Sequence, residues 1–550
     1  MPSSAERAPG VELFCANNDW PLPPNASVAA TTPPGVVNVI RPARVGTRVA
    51  VLIGIVGLFH LLTLRPGLEW DGDSVMYITH AENLVAGAPY ATSGYIQNPY
   101  EFVAPQAYPP GYPLLLTPVI AAAGVDTVAI KTTMVVILLA LLAAVVLIAR
   151  GILRPTYLAG LVAAIGLMPW FWHFKHAPVA TLPFTVFALL SVWAYDRAGA
   201  RRQGTAPMAL LAGALAYAAT ATWTLGVILG AVFLLTDLIR RRRPTRALGL
   251  ALLAWAALAG LQYAVLDTGA GAHEPTHVGA TAGTVTAASG YTPLVRRLVD
   301  GMADIPQNAA VNAGHYGIGV AKLWDNGASE SARNVVLFLA LVLAGVGFVR
   351  RLRAGPGAVE VFAVLYLMAL LPWPFQWTRY LVPLIALKLY YAAVGLQGVQ
   401  DALGRRGRAV TIAAALMVAA SYAGAYATAD YDVVEGEMTT PAARAFYRYV
   451  RANTPAEGIL VGSDSRQLSY FTGRPASVMH MADAEHLLAY IDSLDAAYVV
   501  AGPPWRAESV NRVVAGYPRR FEERYRNSEF ALYRLRPAGA SHPPPEAAAE

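Results

Sequence analysis

The chain has 550 residues, of which 55% are hydrophobic and only 14% are charged. Soluble globular proteins carry about 25% charged residues, so this composition excludes an ordinary soluble domain and indicates a membrane protein with several spans. The net charge of +7 does not indicate nucleic-acid binding, because the arginines fall in short clusters between apolar runs. The single cysteine, Cys15, excludes an intramolecular disulfide framework and a cysteine-rich metal site.

The N-terminal region is predicted to be a disordered cytoplasmic tail. Residues 1–40 are rich in Pro, Ala, Ser and Asn and lack hydrophobic periodicity. They contain no short basic region followed at once by an apolar core, so we do not interpret them as a cleavable signal peptide. Arg41, Arg44 and Arg48 precede the first apolar run at 49–64, and this placement predicts a cytoplasmic N-terminus.

An acidic segment follows the first apolar run directly. Asp71 and Asp73, separated by Gly72, are expected at the edge of a bilayer, where charge is costly unless it is used or well solvated. The segment is therefore either a functional site or a polar loop that leaves a helix. After an aromatic stretch, the apolar run at 114–123 is too short to cross about 30 Å of hydrocarbon, which predicts a helix at the membrane interface.

Further apolar runs continue through the middle of the chain. Together with the first run they predict about eleven transmembrane helices. The arginine clusters provide an independent check, because each loop that should face the cytoplasm is basic. This alternation holds only if the run at 114–123 does not cross. The further runs are 128–149, 156–172, 178–195, 207–222, 224–239, 247–266, 333–349, 358–374, 379–397 and 409–428.

The membrane domain, residues 41–429, is expected to carry two larger outer loops, 65–126 and 267–332. The second loop is polar and Gly-rich, with one surface helix expected at 294–302. Beyond it, short strands alternate with short helices, which predicts a small extracytoplasmic α/β domain over 430–536 and an unstructured tail at 537–550. Within this domain we expect helices at 442–452, 466–471, 484–491 and 510–515, strands at 458–462 and 497–501, and a hairpin over 521–535.

Three motifs in this order resemble a known family. They are the acidic loop Asp-Gly-Asp-Ser-Val-Met-Tyr that ends at Tyr77, the segment Tyr-Pro-Pro-Gly-Tyr-Pro that begins at Tyr108, and Arg379-Tyr380-Leu-Val-Pro-Leu. The chain resembles the bacterial membrane glycosyltransferases of the GT-C superfold, the group similar to protein O-mannosyltransferases and to the aminoarabinose transferase of lipid A. The resemblance implies a multi-pass enzyme of the bacterial cell membrane that inverts the anomeric carbon.

The resemblance also implies the partners and the base. The donor is a sugar on a polyprenyl phosphate, and the acceptor is a glycan, a lipid or a protein. The family's essential loop carboxylate falls on Asp73, which would take the proton of the acceptor hydroxyl. Asp71 would orient the acceptor, pair with a cation or simply be solvated. A divalent cation between the two carboxylates is an open alternative, since hard cations favour carboxylate oxygens, but no cofactor or metal is expected.

The leaving phosphate needs positive charge. Arg379 begins a span, and its guanidinium fork suits phosphate oxygens; the alternative is a snorkelling arginine that anchors a helix end. Tyr77, Tyr108 and Tyr380 are the remaining expected substrate contacts on these motifs. Tyr108 stands where the aminoarabinose branch has a lysine, so it supplies a hydrogen bond or stacking but no charge.

Two lysines remain in question. Lys175 follows the short aromatic loop after the third span and brings a second cation to the predicted outer side, together with His173 and His176. It is expected either to bind substrate or to belong to an interfacial aromatic-basic belt. Lys388 lies about 13 Å deeper than Arg379 on a straight helix, near the bilayer midplane. A lysine there is costly, so we expect it to pair within the bundle.

Two other functions compete with glycosyl transfer. A transporter or flippase would distribute buried charges along several spans and show broken helices and inverted repeats, whereas most polar residues here collect on one side. A ligase for lipid-linked polysaccharides would use outer arginines without needing the Asp71 and Asp73 loop. We therefore expect, as the resemblance implies, an inverting transferase whose partners are a lipid-linked sugar, an acceptor and membrane lipids, with no nucleic acid.

Overall fold

The computed structural model describes residues 42–98, 104–105, 107–200, 205–266, 305–322, 330–373, 377–434, 436, 438–479, 484–502 and 508–536. The surface helix expected at 294–302 lies outside the described residues, as do the two terminal tails expected to be disordered.

Among the described residues as far as 427, the regular elements are helices apart from one short strand. The shorter helices are α2 over Gly72–Ala86, α3 over Gly111–Ala123, α5 over Pro155–Gly166, α6 over Pro169–Phe174, α9 over Ile228–Arg241 and α13 over Ala358–Leu370. The longer helices are α1 over Pro42–Leu62, α4 over Thr127–Ala149, α7 over Thr181–Ala200, α8 over Thr205–Thr222, α10 over Arg246–Val265, α11 over Ile305–Lys322, α12 over Glu330–Arg353, α14 over Val382–Leu403 and α15 over Arg405–Ala427.

Several of these helices are suited to crossing a membrane. In the described part of the chain, 6 helical segments are long and apolar enough to span: Thr127–Ala149, Thr205–Thr222, Arg246–Val265, Asn334–Arg353, Thr378–Leu403 and Arg405–Ala427. The protein is therefore a polytopic helical membrane protein, as its composition predicts. The total of about eleven spans stays a prediction, because length and apolar composition alone define a candidate span.

Local sequence explains where some predicted spans are interrupted. The run at 156–172 is divided into α5 and α6 because Pro169 starts a new helix and disfavours helical geometry in the residue before it. The run that begins at 379 opens with a 3-10 turn, Thr378–Leu381, before α14. Arg379 therefore sits on a turn in front of the long helix.

The segment 267–332, expected to be an outer loop, contains a helix that the sequence did not predict. Its described part contains α11, a helix of 18 residues with a mixed Gly, Asn and Ala composition that lacks a clear apolar stripe. Asn312 in this helix is buried and donates its side-chain amide to the carbonyl oxygens of Leu371 at 2.6 Å and Trp373 at 2.7 Å. Tertiary contacts of this kind stabilise a helix that local propensity does not predict.

The C-terminal region forms a small α/β fold around a mixed sheet. The strands are β1 over Tyr95–Ile96, β2 over Leu460–Gly462, β3 over Ala476–Val478, β4 over Tyr498–Ala501, β5 over Phe521–Arg526 and β6 over Ala531–Leu535. Their order in the sheet is β1-β3-β2-β4-β6-β5; the first four strands in this order are parallel, and β6 is antiparallel to both β4 and β5. The helices are α16 over Pro441–Asn453, α17 over Ser465–Thr472, α18 over Ala484–Ser493 and α19 over Glu508–Gly516.

The first loop contributes the edge strand β1, Tyr95–Ile96, to this sheet. This strand pairs in parallel with β3, which the sequence analysis did not predict either. The Ala476 amide donates to the Gly94 carbonyl at 2.8 Å, and the Ser477 hydroxyl donates to the Ile96 carbonyl at 3.0 Å. The added strand holds α2 of the first loop against α17 of the C-terminal fold, and the candidate site lies where these two helices meet.

Candidate active site

The acidic loop is organised by the start of α2. Asp71 is the N-cap residue, and its Oδ1 accepts a hydrogen bond from the Ser74 amide at 2.6 Å. Such a cap satisfies one of the amide donors that the first helical turn leaves unpaired. Asp73 lies in the first turn, where the helix dipole favours a negative charge. The spacing of the two aspartates therefore has a local structural reason as well as any chemical one.

Arg379 bridges both carboxylates. One guanidinium nitrogen donates to Asp71 Oδ2 at 2.9 Å, and the other donates to Asp73 Oδ2. Its guanidinium carbon also lies 5.5 Å from the Trp377 ring centroid and 5.8 Å from the Tyr380 ring centroid. The Arg379 side chain is only 20% exposed, so it is a member of the acidic cluster rather than a residue that snorkels to solvent.

A second arginine, Arg466, was not singled out from the sequence. It is the second residue of α17, and its guanidinium donates to Asp73 Oδ1 at 2.6 Å and to the Tyr108 hydroxyl at 2.8 Å. The Tyr108 hydroxyl in turn donates to Asp73 Oδ1 at 2.5 Å. Asp73 therefore has two guanidinium partners and one phenol partner, from three separate parts of the chain.

Gly72 makes room for Arg466. A Cβ atom at this position would lie 2.3 Å from the Arg466 guanidinium carbon, which is closer than real Cβ atoms approach other atoms. In the sequence, the glycine between the two aspartates is the sign that another group packs closely against the start of α2. Its partner is 393 residues away from Asp73, so the spacing of residues alone does not identify it.

These contacts determine the protonation of the cluster. Burial opposes ionisation of Asp73, but the guanidinium groups of Arg379 and Arg466, assisted by the Tyr108 hydroxyl, hold the pKa of its carboxyl well below the usual range. Burial and the adjacent Asp73 charge raise the pKa of Tyr108, so its phenol stays neutral and donates. In this arrangement Asp73 is an ionised carboxylate whose basicity is suppressed by its cationic partners.

The surrounding rings keep Tyr108 in place. The Tyr77 ring is buried and packs edge-on against the rings of Tyr108 at 4.9 Å and Tyr112 at 5.0 Å. The Tyr108 amide donates to Nε2 of the buried His80 at 3.2 Å, and burial lowers the pKa of His80 to about 4, so that this nitrogen remains an acceptor. Tyr77, expected to contact substrate, therefore supports the residue that holds Asp73.

Tyr380 also packs within the protein. Its ring stacks on Trp223 with centroids 5.1 Å apart, and its carbonyl oxygen accepts a hydrogen bond from the Tyr366 hydroxyl at 2.8 Å. The same ring lies beside the Arg379 guanidinium, so it helps to position that arginine.

Lys175 does not join the acidic cluster. Its ammonium donates to the carbonyl oxygens of His60 at 3.0 Å and Thr63 at 2.8 Å, and to the Thr63 hydroxyl at 2.8 Å. These acceptors lie at the end of α1, where the last carbonyls of a helix have no partner in the helix itself. Lys175, expected to bind substrate, thus serves as a cap for α1. The neighbouring His176 ring is buried, and neither of its nitrogens has a hydrogen-bond partner among the described residues.

The partner expected for Lys388 is not found. Its ammonium is buried, and within the described part of the chain it has no hydrogen-bond acceptor. The prediction that it pairs within the bundle is wrong for these residues.

A divalent cation between the two carboxylates stays an open alternative. Asp71 and Asp73 already have guanidinium partners. The described residues contain no group of three or more His, Cys, Asp or Glu side chains arranged to hold a metal. Magnesium, however, is commonly held by one or two carboxylates together with water and phosphate oxygens. The expectation of no cofactor stays a prediction.

Comparisons with known proteins identify the fold. No family model and no curated protein matches the sequence. The structure of the Archaeoglobus fulgidus oligosaccharyltransferase in the apo form matches with a TM-score of 0.54 and 13% identity, over 82% of this chain and 69% of that chain. Archaeal AglB from the same organism, in complex with an inhibitory peptide and a dolichol-phosphate, matches with a TM-score of 0.56 and 13% identity, over 83% and 69% of the two chains.

This chain has a GT-C fold. The fold predicted from the three sequence motifs is thereby confirmed. ArnT from Cupriavidus metallidurans, bound to undecaprenyl phosphate, is a further similar structure, with a TM-score of 0.39 and 14% identity over 90% of this chain and 99% of that chain. Within the GT-C fold, the cluster of Asp71, Asp73, Arg379 and Arg466 connects the membrane helices to the C-terminal α/β fold.

Proposed function

We propose that the protein is an inverting glycosyltransferase of the bacterial cell membrane. It transfers a sugar from a polyprenyl-phosphate donor to an acceptor hydroxyl on the outer face, where the C-terminal fold lies. The observation that carries this proposal is the carboxylate of Asp73, held between the guanidinium groups of Arg379 and Arg466. Support also comes from the GT-C fold, which it shares with an archaeal oligosaccharyltransferase bound to a dolichol-phosphate.

The arginines have two roles in this proposal. In the absence of substrate they neutralise the aspartates, since the formal charges of Asp71, Asp73, Arg379 and Arg466 cancel. A donor phosphate supplies a competing anion with good geometry for guanidinium groups. As the arginines move their hydrogen bonds to that phosphate, Asp73 loses cationic partners and its basicity rises. Donor binding therefore prepares the base.

The transfer step then balances as a single displacement. The acceptor oxygen forms a bond to the anomeric carbon while the bond from that carbon to the phosphate oxygen breaks. The acceptor proton passes to the Asp73 carboxylate, and the bonding electrons leave with the polyprenyl phosphate, whose negative charge Arg379 and Arg466 stabilise. Asp71 caps α2 and positions Arg379, and Tyr108 positions Asp73.

The decisive experiment is a transfer assay with purified full-length protein and defined polyprenyl-phosphate sugars. We expect Asp73→Asn to lower turnover by about 10² to 10⁴-fold, the usual contribution of a positioned general base. Asp492→Asn is a matched control, because Asp492 is also ion-paired, to Arg520, but lies in the C-terminal fold away from the cluster. Unchanged turnover in Asp73→Asn would contradict the assigned base.

A transporter or flippase makes a different prediction in the same preparation. If the wild-type protein consumes no lipid-linked sugar but moves a solute or lipid across proteoliposomes, the transferase proposal fails. The position of the cluster favours the transferase over the transporter, because the charged groups lie at one end of the membrane helices and are not distributed along them.

A further inference from the structure

A second basic region lies in a pocket of about 450 Å³ beside α16. One wall comes from chain segments next to three apolar helices. Leu68 follows α1, Thr127 is the first residue of the candidate span α4, and Val434 follows the candidate span α15. The Val434 amide donates to the Pro66 carbonyl at 2.8 Å, which joins two of these segments. The pocket therefore lies at the level where apolar helices end and a lipid head group would begin.

The opposite wall is formed by arginines. Arg444, Arg448 and Arg451 line the pocket, and their spacing of four and three residues places them on one face of α16. Like charges one helical turn apart repel each other, so this stripe favours an anion between the side chains. Among the residues that the structure describes, neither Arg448 nor Arg451 forms an ion pair with a carboxylate. Arg451 instead donates to the Phe471 carbonyl at 2.5 Å.

The rest of the lining is largely apolar. Trp70 and Phe471 line the pocket together with Val433 and Met438. The Trp70 ring stacks on Tyr470 at 5.7 Å between centroids and meets the Phe471 ring edge-on at 5.4 Å. A free inorganic anion gains nothing from such a surface, whereas a lipid places its phosphate on the arginines and its glycerol and upper acyl carbons on the apolar wall.

We propose that this pocket binds the phosphate head group of an anionic membrane lipid. Arg448 and Arg451, with Arg444 beside them, contact the phosphate, and the acyl chains extend along the apolar ends of the neighbouring helices. Bound lipid would hold α16 on the membrane surface and keep Trp70, the residue before Asp71, in its packed position. This lipid site is independent of the transfer reaction proposed above.

The test is native mass spectrometry of the full-length protein in detergent, titrated with dioleoyl phosphatidylglycerol or dioleoyl phosphatidylcholine. We expect the anionic lipid to bind more tightly. The double variant Arg448→Gln/Arg451→Gln should weaken its binding about 10- to 30-fold, since each arginine near an anionic surface contributes about a factor of five. The control is Arg512→Gln/Arg519→Gln, which removes the same charge from exposed positions in the same fold.

Four results would overturn the proposal. Three are equal binding of the two lipids, an unchanged affinity in the pocket variant, and an equal loss in the control variant. Displacement of the lipid by millimolar inorganic phosphate alone would also overturn it, because the pocket would then be a simple anion site. Thermal unfolding without lipid checks that the double variant is folded. If the double variant is not folded, the lipid titration is repeated with the single variant Arg448→Gln, which keeps the hydrogen bond from Arg451 to the Phe471 carbonyl.

Discussion

The side chain of Asp73 receives hydrogen bonds from Arg379, Arg466 and Tyr108, and this convergence determines its chemistry. A carboxylate in solution needs no such partners, but at a membrane boundary an isolated charge is costly. The same partners suppress its basicity. A working base at this position therefore requires that the arginines have another anion to bind, which is why a phosphate donor fits the cluster better than a neutral substrate does.

Replacement of Arg466 should separate its contribution from that of Arg379. We expect Arg466→Ala to lower kcat/KM by roughly 10² to 10³-fold, the usual effect of removing one preorganised donor for developing negative charge. Arg466→Lys should recover part of the loss, because it restores a charge but not the planar fork. Arg512→Ala, on the exposed side of α19, should have no effect in the same transfer assay.

The pH profile of Arg466→Ala provides a second readout. In the proposed reaction the ionised form of Asp73 is the base, so activity is expected to fall as pH drops through its pKa. Loss of a neighbouring cation raises that pKa, and the acid limb of kcat/KM should therefore move to higher pH than in the wild type. A lower activity with an unmoved acid limb would mean that Arg466 only supports the fold.

Among the secondary-structure elements, the junction of α2 with α17 positions the chemistry. α2 begins at a capped turn, and α17 begins directly beside it with Arg466 in its first turn. Each helix contributes only residues from its first turn to the site. The start of α2 is suited to Asp73 because its free amides and helix dipole favour negative charge.

Gly72→Ala tests this junction without changing a charged residue. The added methyl should displace the Arg466 guanidinium, while alanine is intrinsically a better helix former than glycine. We expect activity to fall by roughly tenfold or more, toward the level of Arg466→Ala. In an Arg466→Ala background the same change should have little further effect, because the two residues act as one unit.

The comparison needs a glycine-to-alanine control. Gly54→Ala in α1 is suitable, because a Cβ there meets no atom within 4 Å. Transfer activity and the midpoint of thermal unfolding should both match the wild type. If Gly72→Ala is equally silent, the close approach of Arg466 to α2 is not needed for function.

In the whole molecule, the cluster depends on docking between the membrane helices and the C-terminal fold. Asp71, Asp73 and Arg379 come from the membrane part, and Arg466 comes from the α/β fold. Strand β1 joins the membrane part to the α/β fold, because it belongs to the first loop and forms the edge strand of the C-terminal sheet. The pairing of β1 with β3 is therefore one of the contacts that hold the two parts of the site together.

Ser477→Ala should loosen this docking. Its hydroxyl donates to the Ile96 carbonyl and lies 2.5 Å from the Tyr490 hydroxyl, so its removal leaves buried polar groups unsatisfied, at about 1–3 kcal/mol. We expect faster hydrogen exchange at Tyr95 and Ile96 and a parallel loss of transfer activity. The control is Ser493→Ala in the same fold, which removes a hydroxyl that donates to the backbone carbonyl oxygen of Tyr490 at 2.7 Å. Faster exchange with full activity would show that the docking is dispensable.

Much of the architecture could be predicted from local patterns. Apolar runs identify the helices of the membrane part because a span needs a continuous apolar stretch, and the helices expected at 442–452 and 484–491 are found as α16 and α18. The motif order also placed Asp73, Tyr108 and Arg379 at one site. The structure shows that Asp73 contacts both Tyr108 and Arg379.

The contributions that the sequence analysis missed are long-range ones. Arg466 lies 393 residues after Asp73, β1 pairs with a strand from the far end of the chain, and Lys175 is held by the end of α1. Periodicity and spacing indicate which face of a helix or strand is apolar, because that property depends on residues close together in the sequence. They carry no information on which distant side chain fills a space or pairs with a charge. Local patterns and the three motifs predict the membrane class, the fold, and Asp73 and Arg379 as candidate residues. The contact between these two residues and the presence of Arg466 beside them are seen only in the folded protein, because contacts between distant elements are set by packing.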